Sequence, residues 1–209
     1  MALATAWYSG AEHGVSTQPV PTGSIRLGPD PGQPVAEYLA GLPARLPEPG
    51  AVAPALVQLA EGVSTTTAAD ISAGGQATLA VFRVPLPRVQ TALRFEPLEP
   101  AAPEVALPTA RERARMAADG DAARLTGRPR DVAAAEAAAL ADPACTCTLA
   151  LVVRADRATL DAIAARPGVR AVDAAPPGAI ERELALSPLL PAQLERADPV
   201  PDDGPVPPA

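Results

Sequence analysis

The stretch Thr146-Cys147-Thr148-Leu149-Ala150-Leu151-Val152-Val153-Arg154 is followed, after Asp156, by Leu160-Asp161-Ala162-Ile163-Ala164-Ala165-Arg166-Pro167-Gly168 and Val169-Arg170-Ala171-Val172-Asp173. It decides the fold because its three parts have three different periods. Residues 146–154 are a short apolar, β-branched run of strand length. Asp156 stands where a helix N-cap belongs. Over 157–166, Leu160, Ile163 and Ala164 share one helical face, and Pro167-Gly168 supplies the stop before a second strand over 169–173.

Working outward, residues 55–84 repeat the order. Ala55-Leu56-Val57-Gln58-Leu59-Ala60 predicts a buried strand. Ser64 or Thr65 caps a weak helix through Ser72, Gly74-Gly75 ends it, and 77–84 predicts a strand again. Two such units predict an α+β fold, the ferredoxin-like split β-α-β sandwich. Four antiparallel strands carry both helices on one face, leaving an open face and two edges for partners. Val89, Thr91, Leu93 and Phe95 alternate with Gln90, Ala92, Arg94 and Glu96, which extends the sheet by a half-buried strand past Pro85 and Pro87. Between the units lies a helical insertion at about 104–143. Thr109-Ala110-Arg111-Glu112 has the spacing of a capping box for a helix running to Ala118 before Gly120, and a second helix is predicted over 131–141.

The 27 prolines set the outer boundaries. Residues 1–30 are predicted to be a disordered flank or an anchor stub. Residues 31–54 form a proline-rich segment with one short helix, Pro34 to Leu42. The α+β domain spans 55–175, and 176–209 is a proline-rich acidic tail, disordered from 196 onward. With 2% aromatic residues, the core must be built from Ala, Val and Leu and is expected to be thin.

Composition excludes several chemistries. There is no lysine, so neither a phosphate-binding P-loop nor a Schiff-base catalyst is available. The net charge of -7 gives no electrostatic reason to expect nucleic acid or an anionic membrane surface. No apolar run reaches the roughly eighteen residues of a spanning helix. Met1 to Ala11, with Trp7 beside Tyr8, reads either as the stub of a membrane anchor or as an ordinary terminus.

No residue is assigned a catalytic, cofactor-binding or metal-binding role, and the chain is read as a non-enzyme needing no cofactor. His13 is the only imidazole and lies in the N-terminal flank. Glu181 with Glu183, and Asp202 with Asp203, fall in proline-rich sequence that does not desolvate them. Arg111, Arg113, Arg115, Arg124, Arg128 and Arg130 are matched by Glu104, Glu112, Asp119, Asp121, Asp131, Glu136 and Asp142, which predicts a solvated helix face laced with salt bridges. Cys145 and Cys147, placed on a strand, would have Cα atoms about 6.6 Å apart and parallel Cβ vectors. Buried structural thiols are the expectation. A disulfide would require a bent strand, and a metal site lacks further soft ligands.

Two resemblances follow from these segments. The run from Leu160 to Asp173 resembles the closing helix and strand of the propeptide/inhibitor domain of subtilisin-type proteases, a ferredoxin-like family that chaperones or inhibits its protease. Gly32-Gln33-Pro34-Val35-Ala36-Glu37-Tyr38-Leu39, Val84-Pro85-Leu86-Pro87-Arg88-Val89-Gln90-Thr91 and Ala185-Leu186-Ser187-Pro188-Leu189-Leu190-Pro191 are similar to uncharacterised extracytoplasmic regions of single-pass membrane proteins from GC-rich actinobacterial genomes. The second resemblance implies a tethered, non-catalytic binding or sensing domain that contacts a protein partner in the cell envelope. The first implies a protease-inhibitor or propeptide-like module.

Overall fold

The computed structural model describes residues 25–208, so the expectations for Met1 to Ala11 and for His13 lie outside the described residues. In chain order the elements are β1 (Ile25–Leu27), α1 (Val35–Gly41), β2 (Val52–Val63), α2 (Thr65–Ser72), β3 (Gln76–Phe82), β4 (Arg94–Pro97), α3 (Pro103–Arg124), α4 (Gly127–Ala141), β5 (Thr148–Asp156), α5 (Arg157–Ala164), β6 (Val169–Ala174) and β7 (Leu184–Leu186). A 3-10 turn, Leu42–Arg45, continues α1.

Two of the predicted caps act where the sequence places them. The Ser64 side chain accepts from the Thr67 N–H at the start of α2, and Asp156 accepts from the Thr159 N–H at the start of α5. Leu160 and Ile163 are fully buried, anchoring α5 to the sheet with roughly 1.5–3 kcal/mol each. Strands β4-β3-β5-β2-β6 form one five-stranded sheet whose neighbours are all antiparallel. The protein is thus a mixed α+β structure.

The sheet is covered on both faces, which corrects the expectation of an open one. Ala55, Val57, Leu151, Val153 and Val172 pack against α2, α3, α4 and α5. The alternate residues Leu56, Val81, Phe95, Ala150 and Val152 pack against Leu27, Ala175, Ala179, Leu184 and Leu186. The second layer is therefore made by the two flanks, joined where β1 and β7 pair in parallel, Ile25 opposite Leu184 and Leu27 opposite Leu186. The near-continuous apolar run Ala53 to Ala60 of β2, broken only by Gln58, is the sequence counterpart of this double coverage.

Three further expectations are corrected. Residues 25–30 belong to an ordered flank, because Leu27 finds an apolar slot and the Gly28 N–H an acceptor, the Asp173 carboxylate at 2.7 Å. Residues 196–204 have a hydrogen-bonded course, because arginines answer their acids: Asp203 pairs with Arg88, and Asp202 accepts from Arg128 at 3.1 Å and from the Gln90 N–H at 3.0 Å. The first insertion helix starts at Pro103 and runs through Gly120 instead of stopping there. The cost of a mid-helix glycine, about 1 kcal/mol, is offset because Asp121 beyond it is drawn into a buried ion pair. Thr109 does not cap; its hydroxyl donates to the Val105 carbonyl one turn earlier. Among the described residues, no helix is long and apolar enough to cross a membrane.

Candidate functional site

Four places concentrate chemistry. The first lies on the helix-covered face at the β4 edge. Alternation along 89–96 places Arg94 and Glu96 toward solvent, but the α3–α4 hairpin closes over that side of β4, and both are buried. Arg94, 2% exposed, donates to Asp121 of α3 at 3.0 Å and to Glu136 of α4 at 2.5 Å. Glu136 also accepts from the Ala92 N–H at 2.6 Å, and Asp121 from Arg124 at 2.6 Å. Arg113 reaches Glu96 at 3.1 Å.

Asp121 and Glu136 are thus not part of a solvated face; they are the internal counter-charges of an arginine that the sheet carries inward. The exposed remainder behaves as expected, with Arg115 between Glu112 and Asp119 and Arg130 beside Asp131. The crevice beside this cluster, lined by Phe82, Arg83, Val84, Ala92 and Leu140, is too narrow for a water molecule. Every carboxylate in it is engaged, so the cluster holds the hairpin and offers no vacant base.

Burial pushes the Glu136 carboxyl above its ordinary value of 4.5, against the opposing pull of Arg94. The folded protein therefore binds this proton more tightly than the unfolded chain does. Its contribution to stability is complete below pH 4.5 and is lost as pH rises through the folded value. Glu136→Gln is expected to abolish that component. The check is to compare urea midpoints of variant and parent from pH 4.5 upward, the difference changing with pH only over this window.

The second cluster lies on the flank-covered face. Asp173 of β6, with no exposed surface, accepts from Gly28 N–H at 2.7 Å, Tyr38 hydroxyl at 3.0 Å and Arg45 at 2.8 Å. Gln58 of β2 donates to the Tyr38 oxygen at 2.6 Å and accepts from the Leu189 N–H at 2.7 Å. Burial, with the Asp173 charge beside it, pushes the Tyr38 hydroxyl well above its usual range. One carboxylate and one amide thereby tie β1, α1 and the C-terminal flank to the sheet.

The third place is the cysteine pair. Cys145 and Cys147 are joined as a disulfide, which corrects the expectation of buried thiols. Neither residue lies in a strand, since β5 begins only at Thr148. The segment leaves a turn in which the Cys145 N–H donates to the Asp142 carbonyl, and the Cα atoms stand 5.3 Å apart, within bridging range.

The fourth place is an open groove of about 730 Å³ at one end of the sheet. Its walls are Gln76, Ala77 and Thr78 at the start of β3, the 97–102 connection and Glu181. It exists because Pro97 and Pro100 lead the chain away from β3 toward α3, so β4 pairs only with Leu79 to Phe82. Glu181 is brought here, and Glu183 is not among the lining residues. Asp202 and Asp203 are exposed partners of Arg128 and Arg88, not an acid/base pair.

Among the described residues, no three His, Cys, Asp or Glu side chains are grouped so as to hold a metal ion. Sequence reading missed Arg94 and Asp173 as centres of buried networks. The detectable signals were the charges that two strands carry, Arg94 and Glu96 in β4 and Arg170 and Asp173 in β6, and a lone Gln58 in an apolar run. Comparison with protein-family models, with curated proteins and with solved structures returned no match.

Proposed function

We propose that this chain is a non-catalytic extracytoplasmic binding or sensing domain of a membrane-anchored protein, and that it meets a protein partner at the open groove. What carries the reading is the contrast between the four places. The titratable clusters are consumed by contacts that hold the fold, whereas the groove is wide, open and lined by short, mostly uncharged side chains. A surface of that kind suits an extended polypeptide better than a reaction requiring a poised acid or base.

As part of the same proposal, β2, β3, β5 and β6 with α2 and α5 form a split β-α-β unit to which β4, the hairpin and the flanks are added. The strand order β3-β5-β2-β6 supports this. The propeptide-like alternative is disfavoured on a specific ground. It needs a free tail after the last strand, and Ala175, Ala179, Leu184, Leu186 and Leu189 are all buried.

The test is site-specific photo-crosslinking in a native envelope fraction, with the photoreactive residue at Gln76 in one sample and at Val105, exposed on α3, in another. A discrete protein adduct from position 76 that is lost on Ala101→Arg, with none from 105, is the expected result. Equal labelling from both positions, or none from 76, would reject the groove as the contact.

A further inference from the structure

We propose that the Cys145–Cys147 bridge is a thiol–disulfide exchange site that takes thiols as co-substrate, with Cys145 as the attacked sulfur. The proposal is independent of the groove.

As a staple, the bridge does little. It joins residues two positions apart, and the entropy a cross-link removes from the unfolded chain shrinks with the loop it closes. The segment is also held without it. The Cys147 carbonyl accepts from the Arg83 N–H at 2.8 Å, and the Cys145 N–H donates to the Asp142 carbonyl at 3.0 Å. The Thr146 carbonyl lies against Gly62 so closely that a Cβ there would stand 2.1 Å from its oxygen.

Access to the two sulfurs is unequal. Cys147 is 1% exposed and belongs to the helix-side core, while Cys145 packs at the rim of that core, half-buried, beside an exposed Thr146. An incoming thiolate therefore meets Cys145. The turn before Cys145 is tied to α3, where Arg111 donates to the Pro143 carbonyl at 2.9 Å.

The step balances as follows. A thiolate RS⁻ attacks Sγ of Cys145, forming a Cys145–S–SR bond as the Cys145–Cys147 bond breaks. The departing electron pair goes to Sγ of Cys147, which takes a proton and remains in the core as a thiol, an apolar group at home there. A second thiolate attacks the R-bearing sulfur, releasing RSSR and the Cys145 thiolate. Two thiols are oxidised and one protein disulfide is reduced.

The experiment uses the whole folded chain, air-oxidised, with separate arms of millimolar glutathione and of a reduced thioredoxin-type dithiol. Each is followed by alkylation and peptide mass spectrometry, with circular dichroism confirming the native fold. Opening of the bridge without denaturant is expected, and the arm that acts identifies a small monothiol or a protein dithiol as the source. Cys145 should be alkylated on the order of tenfold faster than Cys147, as its greater exposure requires. Cys147→Ser, given oxidised glutathione instead, should form a mixed disulfide on Cys145 with release of one glutathione thiolate, and keep it because no second protein thiol displaces it. The proposal is overturned if the bridge resists both thiols until urea is added, if the air-oxidised chain is already alkylated at both cysteines, or if Cys147 is alkylated first. These three outcomes are read on the parent chain and do not depend on the variant folding.

Discussion

Arg94→Ala is expected to destabilise the protein by about 3–5 kcal/mol, the cost of leaving buried carboxylates without their cation. Asp121 and Glu136 would face each other beneath the α3–α4 hairpin, with Arg124 and the Ala92 N–H as their remaining hydrogen-bond donors among those described and Arg83 as a further positive charge near Glu136. Urea denaturation at neutral pH measures the loss, and hydrogen exchange should show it first in α4. A companion variant separates charge from packing. Replacing Arg94, Asp121 and Glu136 together by Met, Leu and Met removes the ions with their solvation cost, and its stability should lie close to that of the parent. A triple variant as unstable as Arg94→Ala would mean that the hairpin is held by shape and not by charge compensation.

Asp173→Ala is expected to cost about 2–4 kcal/mol, because the Gly28 N–H and the Tyr38 hydroxyl lose a buried acceptor together. Arg45 is half-exposed and regains water, so its share is small. The loss is directional. The flank layer over Leu56, Phe95 and Val152 should loosen while the helix-covered face keeps its protection from exchange. Asp173→Asn keeps an acceptor and should recover part of the difference. If Ala and Asn variants were equally stable and the flanks equally protected, Asp173 would not be what ties them down.

Both strand-helix-strand units were legible because each rests on local physics: a side-chain cap, an apolar stripe, and a glycine or proline stop. Ser64 and Asp156 sit at their caps, and Val169–Ala174 begins at the residue after Gly168. What was not legible depends on residues far apart in the chain. A strand of three residues such as Ile25–Leu27 has no period to detect, and its partner Leu184–Leu186 lies among prolines. The alternation over 89–96 identified Phe95 correctly but began the strand five residues early, since 89–93 is a loop, and assigned Arg94 to water, because nothing nearby announces that α3 and α4 fold back over that side. The disulfide was obscured by a boundary: beginning the strand at 146 instead of Thr148 turned two adaptable cysteines into fixed parallel vectors. Of the candidate site, the sequence carried the prolines that open the groove, but not the space between them.

The pairing of Ile25 with Leu184 also orders events during synthesis. While the chain emerges from the ribosome, β2 to β6 can assemble under their helices, but on the opposite face, with Leu56, Val81, Phe95 and Val152, most of the cover among the described residues arrives only with 175–189. Until then β1 has no strand to join, and the Gly28 N–H must wait for an acceptor 145 positions further on. Contacts of such long range are slow to close, and an uncovered apolar sheet is what chaperones bind and aggregates grow from. The nascent protein is therefore expected to pass through a half-sandwich state, and truncation before Leu184 to leave it there.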